Sequence, residues 1–328
     1  MRLDYSRDDI LTDHPFDRPL IVDGVRCHGG FVGDAYVSPR TRWRTAAIDA
    51  WQAQLPSGEL DAVLDPITRQ IPPHFPNAAQ TALLVRHGVT LPLIRILSLI
   101  AIIEGYGGEV LRSVPLPPFH TRVREPIDGT ALAHLDSLFE AHARDEAGHR
   151  AMWELARDIA LNRPELPRDL APNFPPPSGL RLLPAIPADM EAIILRMLGI
   201  LTVEVFAIEA FHWARAVLGD ASLFARHADA ERLIAFVQQD EAPHVGYLAT
   251  ALAELRARTL IGDDGTPVAG HVVIDAARDL VVGFQTGARH RANCATRMQI
   301  IEQCLATHAK GDALRAEFRS LGPTPPSS

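Results

Sequence analysis

Two copies of an Asp-Glu-x-x-His pattern are the feature of this sequence that could most directly do chemistry. On a helix, residues i and i+3 lie on one face, so the glutamate and the histidine of each copy can bind one metal ion together. A single glutamate in an apolar stretch precedes each copy. The six candidate ligands are Glu104, Glu146, His149, Glu204, Glu241 and His244. Two glutamate–histidine pairs and two further glutamates are enough to bind two metal ions within a helical bundle.

The neighbours of these residues at helical spacing are apolar, which predicts a buried site. Glu146, for example, shares its face with Leu138, Phe139 and Met152. An ionised carboxylate on a buried face is costly unless it is paired or binds a metal. The alternatives are core acids paired with arginines, or chance matches on solvated faces. Two motif copies in register with two buried glutamates favour the metal site over both alternatives.

Four further residues near the motifs carry expectations of their own. Asp145 and Asp240 each precede a ligand glutamate, and we expect each to accept the N–H of a ligand histidine from the opposing helix. The alternative for both is an ordinary solvated aspartate. His142 lies four residues before Glu146 and is either an additional ligand or a hydrogen-bonded core histidine. Pro243 removes a helical amide between Glu241 and His244, so we expect a kink or bulge there.

Four long helical segments would carry these ligands, at about residues 91–113, 128–162, 187–217 and 228–257. Proline-rich stretches separate them. The order of a single-glutamate helix followed by an Asp-Glu-x-x-His helix occurs twice, which predicts two helix pairs related by a pseudo-twofold axis. We therefore predict an all-α fold in which residues 90–257 form a four-helix bundle that surrounds the ligands.

The two ends of the chain are predicted to pack on this bundle. Residues 1–89 form a loop-rich N-terminal extension, with a hairpin around Asp23-Gly24 and a helix from Ser38-Pro39 through Trp51. Residues 258–328 add two C-terminal helices, at about 272–288 and 291–308.

Composition excludes several classes of protein. The net charge of −8 over 328 residues argues against a nucleic-acid binder, which would normally have a basic face. The cysteines Cys27, Cys294 and Cys304 are scattered, so we expect no disulfide framework and a reducing cytoplasm. The N-terminus lacks the apolar run of a signal peptide. The apolar stretch Leu91–Ile103 is too short and interrupted for a bilayer span, so we expect no membrane association.

On the two motifs and two glutamates, residues 90–257 resemble the ferritin-like di-iron carboxylate superfamily. This resemblance implies a ferritin-like four-helix bundle, two iron ions as cofactors, with manganese as an alternative metal, and dioxygen as a co-substrate. Within the superfamily, arylamine N-oxygenases are similar in size and helix order. They carry an additional histidine ligand four residues before the second Glu-x-x-His, where this chain has Val237, whereas His142 takes the equivalent place in the first motif.

The resemblance implies an oxidoreductase that activates dioxygen and oxidises a small organic metabolite by N-oxygenation, hydroxylation or desaturation. Glu104, Glu146 and His149 would bind one iron and Glu204, Glu241 and His244 the other, with one glutamate from each half able to bridge. We also expect a homodimer, and an electron-donor protein is a further possible partner. The alternative function is a ferroxidase or other iron-handling protein. The sequence leaves the substrate and the electron donor open.

Overall fold

The computed structural model describes residues 3, 5–113, 115–170 and 181–322. Most of this chain is α-helical, so the predicted all-α class is confirmed, with two small antiparallel sheets in addition. In chain order, the elements are α1 (Arg7–Leu11), β1 (Arg18–Val22), β2 (Val25–Val32), β3 (Ala35–Val37), α2 (Thr41–Gln52), α3 (Glu59–Thr68), α4 (Ala78–Arg86), α5 (Leu91–Arg112), α6 (Phe119–Arg122), α7 (Leu135–Leu161), α8 (Ala188–Leu218), α9 (His227–Asp240), α10 (Ala242–Arg256), β4 (Thr259–Ile261), β5 (Pro267–Ala269), α11 (Gly270–Phe284), α12 (His290–Thr307) and α13 (Gly311–Ser320).

The central helices are α5, α7, α8 and the α9–α10 pair. Helix α5 packs along α7, α7 packs against α9, and α8 packs against both α9 and α10, whereas α5 and α8 contact each other only sparsely. All four predicted helical segments are present, although the second begins with a 3₁₀ turn over Ala131–His134 before α7. The seam between α5 and α8 is therefore a loose contact among the central helices.

The fourth predicted segment is two helices because Pro243 interrupts it. Helix α9 ends at Asp240 and α10 begins at Ala242, with Glu241 at the junction. The proline ring has no N–H and cannot continue the hydrogen-bond ladder. The amide of His244 instead bonds the Glu241 carbonyl at 3.0 Å. The irregularity expected at Pro243 is confirmed.

The N-terminal region contains the predicted hairpin. Strands β1 and β2 pair antiparallel, with Val22 opposite Val25. Asp23 and Gly24 both have positive φ angles, 52° and 75°, as a tight two-residue hairpin turn requires. Strand β3 extends this sheet along β2.

Other predictions for the N-terminal region were wrong. Helix α2 begins at Thr41 rather than at Ser38-Pro39, because Arg40 has a left-handed conformation (φ 60°) that stops the helix from starting earlier. The stretch expected to be loop contains α3 and α4. Burial of Val63 and Ile67 supports α3 despite Pro66 within it, and the reciprocal side-chain bonds of Asn77 and Gln80 start α4.

Both ends of the chain pack on the central helices. Helices α2 and α3 lie against α10, and α1 and β2 lie against α7. Helix α11 packs on α8 and α10, and α12 packs on α5. The predicted C-terminal helices are both present and are joined by a π-helical segment, Gln285–Arg289, in which Gly287 leaves helical geometry. Helix α13, which packs on α4, was not predicted.

In the described part of the chain, α5 is long and apolar enough by length and composition to cross a membrane. It is longer than the interrupted stretch identified from the sequence. Its most apolar window is 41% buried within the protein.

Candidate metal centre

The two Asp-Glu-x-x-His motifs meet between α7 and the α9–α10 pair. His149 Nδ1 of α7 lies 3.0 Å from Glu241 Oε1, and His244 Nδ1 of α10 lies 2.7 Å from Glu241 Oε2. The break at Pro243 therefore leaves Glu241 and His244 in contact. Glu146, His149, Glu241 and His244 form one group whose ligand atoms lie within 4.8 Å of one another.

Glu146 occupies the middle of this cluster. Its Oε1 atom lies 3.3 Å from His244 Nδ1, 3.5 Å from His149 Nδ1 and 3.3 Å from His142 Nε2. One carboxylate oxygen thus faces three imidazole nitrogens. An oxygen in this position can bridge two metal ions.

The single glutamates lie at opposite ends of the cluster. Glu104 Oε2 of α5 is 3.6 Å from His149 Nδ1, and Glu204 Oε1 of α8 is 3.3 Å from His142 Nε2. All six predicted ligands are therefore brought together. The two ends of the cluster are not equivalent. Glu104 faces His149, which is one of the predicted ligands, whereas Glu204 faces His142, which is an additional histidine.

The contacts of His142 fit both of the alternatives that the sequence left open. Its Nδ1 shares a 2.8 Å hydrogen bond with the Tyr247 hydroxyl, while its Nε2 faces Glu146 and Glu204. Its ring stacks on that of His244 at 3.7 Å. His142, Glu146, Glu204 and His244 form a second group with metal-ligand spacing. The assignment of ligands from the sequence placed Glu204 with Glu241 and His244 and did not include His142 in that set.

The two aspartates lie against histidines across the helix interface, and Asp145 forms the expected hydrogen bond with His244, whereas Asp240 approaches His149 without one. Asp145 Oδ2 of α7 lies 3.2 Å from His244 Nε2, and Asp240 Oδ2 of α9 lies 3.5 Å from His149 Nε2. Each imidazole thus turns Nδ1 towards the glutamates and Nε2 towards an aspartate. Such contacts fix the tautomer and the orientation of a ligand histidine.

Sequence reasoning missed the residues that the N-terminal region adds around these aspartates. Arg40 and Arg44 donate to Asp145, and both arginines are buried. The Tyr36 hydroxyl donates to Asp240 Oδ2 at 2.7 Å. Asp145 and Asp240 are therefore held from the side opposite the glutamates.

His28 of β2 lies between the two aspartates. Its Nε2 is 3.3 Å from Asp145 Oδ1 and 3.8 Å from Asp240 Oδ2. A Cβ atom on Gly148 would lie 2.3 Å from His28 Nδ1, so the glycine in the first motif makes room for this ring. Gly148 was the only local signal of this contact, because no spacing rule relates His28 to the motifs.

The glutamates of the cluster fall into two groups, because the pKa is raised for some of them and lowered for others. Burial, followed by repulsion from Glu241, raises the pKa of Glu204 to about 8. Burial and repulsion from Glu146 likewise raise the pKa of Glu104. Burial would also raise the pKa of Glu241, but the charges of His149 and His244 outweigh it and lower that pKa to about 2.

The pKa values of the remaining side chains depend on the same balance between burial and neighbouring charges. Burial opposes ionisation of Glu146, but the imidazoles of His142, His149 and His244 that face it hold its pKa well below the usual value. Burial disfavours the cationic forms of His149 and His244, yet Glu241 and the other carboxylates raise both pKa values well above the usual value. Without metal, the centre therefore balances two carboxylates against two imidazolium groups.

The donor set fits metal ions. In the described residues, four buried atoms that face the same space lack a hydrogen-bond partner: His142 Nε2, Glu146 Oε1, His149 Nδ1 and Glu241 Oε1. None of the four glutamates has an ion pair with an arginine or lysine in that part of the chain. Unpaired buried polar atoms are costly, and cations would satisfy them. Imidazole and carboxylate ligands suit iron and manganese.

The centre is most open towards the α5–α8 seam. Glu104 and Glu204 are 11% and 10% exposed, whereas Asp145 and Asp240 are at most 1% exposed. Partly buried aliphatic and small residues lie beside the two glutamates, namely Ile100, Ile103, Gly107, Val203 and Ala207. A small molecule would therefore approach the ligands from this side.

Comparison with protein-family models gives no match for this chain, and comparisons with curated proteins and with solved structures also give none. The assignment of function therefore depends on the geometry of the site.

The contact between His28 and Gly148 makes a testable prediction. We expect His28→Ala to weaken metal binding about 10- to 100-fold, because the two aspartates that orient His149 and His244 lose their shared neighbour. Gly148→Ala should weaken binding similarly, since its methyl group displaces the ring. Metal titration of both variants would measure the effects.

The double variant is the control for this contact. In the His28→Ala background the methyl group at position 148 meets no imidazole, so Gly148→Ala should add little further loss. Fully additive losses in the double variant would contradict the proposed contact.

Proposed function

We propose that this chain is a di-iron oxidoreductase that activates dioxygen and oxidises a small organic substrate. In this proposal α5, α7, α8 and α9–α10 correspond to the helices of a ferritin-like bundle. The observation that carries the proposal is the convergence of four glutamates and three histidines in a buried cluster in which, within the described residues, no arginine or lysine pairs with the glutamates. A purely structural cluster would more simply pair these acids with arginine or lysine, whereas here only imidazoles, which are themselves metal ligands, balance them.

Two overlapping groups of residues suggest how the ions would be held. Glu146, His149, Glu241 and His244 would hold one ion, and His142, Glu146, Glu204 and His244 would hold the other. Glu104, 3.6 Å from His149, would join the first group. When bound, two ferrous ions would supply the electrons with which the centre reduces dioxygen.

The residues of the chain have distinct parts in this function. Asp145 and Asp240 hold His244 and His149 in the tautomer that presents Nδ1 to the metals. Tyr36, Arg40 and Arg44 fix those aspartates and seal the centre on the N-terminal side. The α5–α8 seam admits dioxygen and substrate, and its aliphatic lining favours an apolar reacting group.

Anaerobic loading with ferrous iron tests the proposal. We expect about two irons per chain and a change in the absorption spectrum on addition of oxygen. Less than one iron per chain, without an oxygen-dependent change, would overturn it. An assembly of many subunits that oxidises many irons per chain would instead favour the ferroxidase alternative. Labelled oxygen in an organic product would distinguish oxygenation from desaturation.

Metal binding should release protons, because the metal-free cluster holds several. The raised pKa values of Glu204, His149 and His244 place protons on these groups near neutral pH, and the pKa of Glu104 is raised in the same direction. Two divalent ions should therefore displace up to about four protons at pH 7. Anaerobic titration with Mn²⁺ in a weakly buffered indicator solution would measure this number.

The pH dependence of this release has a definite sign. As pH rises through about 8, Glu204 loses its proton before metal arrives. The number of protons released should fall by about one between pH 7 and pH 9, and apparent metal affinity should rise over the same interval. Proton release that is absent at pH 7 would contradict the proposed protonation pattern.

A further inference from the structure

A cavity of about 120 Å³ lies between α5 and α12, towards the N-terminal half of α5. One stripe of α12, formed by Asn293, Thr296, Arg297 and Ile300, faces it at i, i+3, i+4 and i+7. Leu99 of α5 lies opposite. The cavity thus has hydrogen-bond donors, a cation and an apolar wall.

Arg297 is the distinctive residue of this cavity. Its Nη1 donates to the Phe75 carbonyl at 2.6 Å and lies 3.3 Å from His74 Nε2. No ion pair joins Arg297 to an acid anywhere in the described residues. Burial lowers the pKa of its guanidinium from the usual value. A largely buried guanidinium without a carboxylate is unfavourable, and a bound anion would compensate it.

Arg95 adds a second guanidinium to the lining. It forms two hydrogen bonds with Asp169, at 2.8 and 3.0 Å. The Asp169 side chain is 74% exposed, and an ion pair so exposed to water is weak. The two arginines and one aspartate leave the lining with a net positive charge, which selects an anion.

The apolar wall of the cavity is formed by Ile96 and Leu99 of α5 together with Ile300 of α12. The cavity has room for about ten water-sized positions, at roughly 10–15 Å³ each. A ligand with a charged head and a short hydrocarbon chain matches this volume and this distribution of polarity.

We propose that this cavity binds the carboxylate of an aliphatic carboxylic acid whose short hydrocarbon chain lies against Leu99 and Ile300. The carboxylate lies against Arg297, with Asn293 and Thr296 as additional donors. This binding requires no metal and does not depend on the proposed function.

Calorimetric titration of the full chain with octanoate tests the inference, with octanol and inorganic phosphate as comparison probes. We expect saturable octanoate binding and at least tenfold weaker binding of octanol, which lacks the charge, and of phosphate, which lacks the chain. Tighter binding of phosphate would identify a site for small inorganic anions and overturn the proposal.

Variants locate the site. Arg297→Met should weaken octanoate binding at least tenfold, whereas Arg291→Met, at an exposed position of the same helix, should not change it. Asn293→Trp fills the cavity from an exposed position while Arg297 keeps its own contacts, so it should also abolish binding. Octanoate affinity that is equal in wild type and in both cavity variants would overturn the inference.

Asp169→Asn should change the octanoate affinity in the opposite direction. Removing the acid that competes for Arg95 should tighten octanoate binding severalfold, which loss of a merely structural contact would not do. Weaker binding in this variant would count against the site. Octanoate binding without metal uptake would refute the proposed function alone, and metal uptake with oxygen reactivity but no octanoate binding would refute this inference alone.

Discussion

Replacing Glu146 with glutamine is expected to reduce bound iron from about two ions per chain to less than one. A single oxygen of Glu146 faces His142, His149 and His244, so in the proposed centre the substitution would remove a ligand that both ions share. Glutamine preserves the size of the side chain but removes its charge, and the two cations lose part of their neutralisation. Metal analysis after anaerobic loading and desalting would measure the loss.

Glu154→Gln is the matched control. Glu154 lies on the same helix, is 40% exposed and pairs with Arg150, so its substitution should leave metal content unchanged. If the Glu146 and Glu154 variants bound equal amounts of iron, the cluster would not be a metal centre. Circular dichroism of both variants would establish that α7 still forms.

The second large effect concerns folding rather than metal. We expect Asp145→Ala to lower the free energy of unfolding of the metal-free protein by about 3–5 kcal/mol. Asp145 is fully buried and accepts from Arg40 and Arg44. Its removal leaves Arg44, which is also fully buried, without its carboxylate partner. Chemical denaturation monitored by circular dichroism would measure the change.

Asp136→Ala is the control for this effect. Asp136 lies on the same helix as Asp145 and pairs with Arg7 of α1. Because the Asp136 side chain is 78% exposed, its substitution should cost at most about 1 kcal/mol. Equal denaturation midpoints for the two variants would contradict the importance of the buried pair. Adding Arg44→Met to Asp145→Ala should recover part of the loss, because no unpaired cation remains at that position.

These two variants also separate the two interpretations of acids in a helical core. Arginine pairing, which the sequence could not exclude, does occur, but at Asp145 rather than at the glutamates. The four glutamates face histidines and one another. A single chain thus contains one acid stabilised by arginines beside four whose arrangement fits cations.

The sequence by itself determined the four long helical segments and the six candidate ligands. The spacing of Glu146 and His149, and of Glu241 and His244, is a local property of one helix, and so is the apolar face on which each pair lies. The break at Pro243 could be predicted for the same reason, because it depends on a missing amide within one turn. Patterns of this kind need no knowledge of the rest of the chain.

Only the tertiary structure decided which residues complete the centre. His142 meets Glu204, and His28, Tyr36 and Arg44 reach the two aspartates, across separations of tens to hundreds of residues. No periodicity relates residues so far apart, since their approach follows from how the N-terminal sheet and α2 pack on the central helices. The sequence could thus indicate the six candidate metal ligands. Which further side chains hold and surround those ligands depends on tertiary packing.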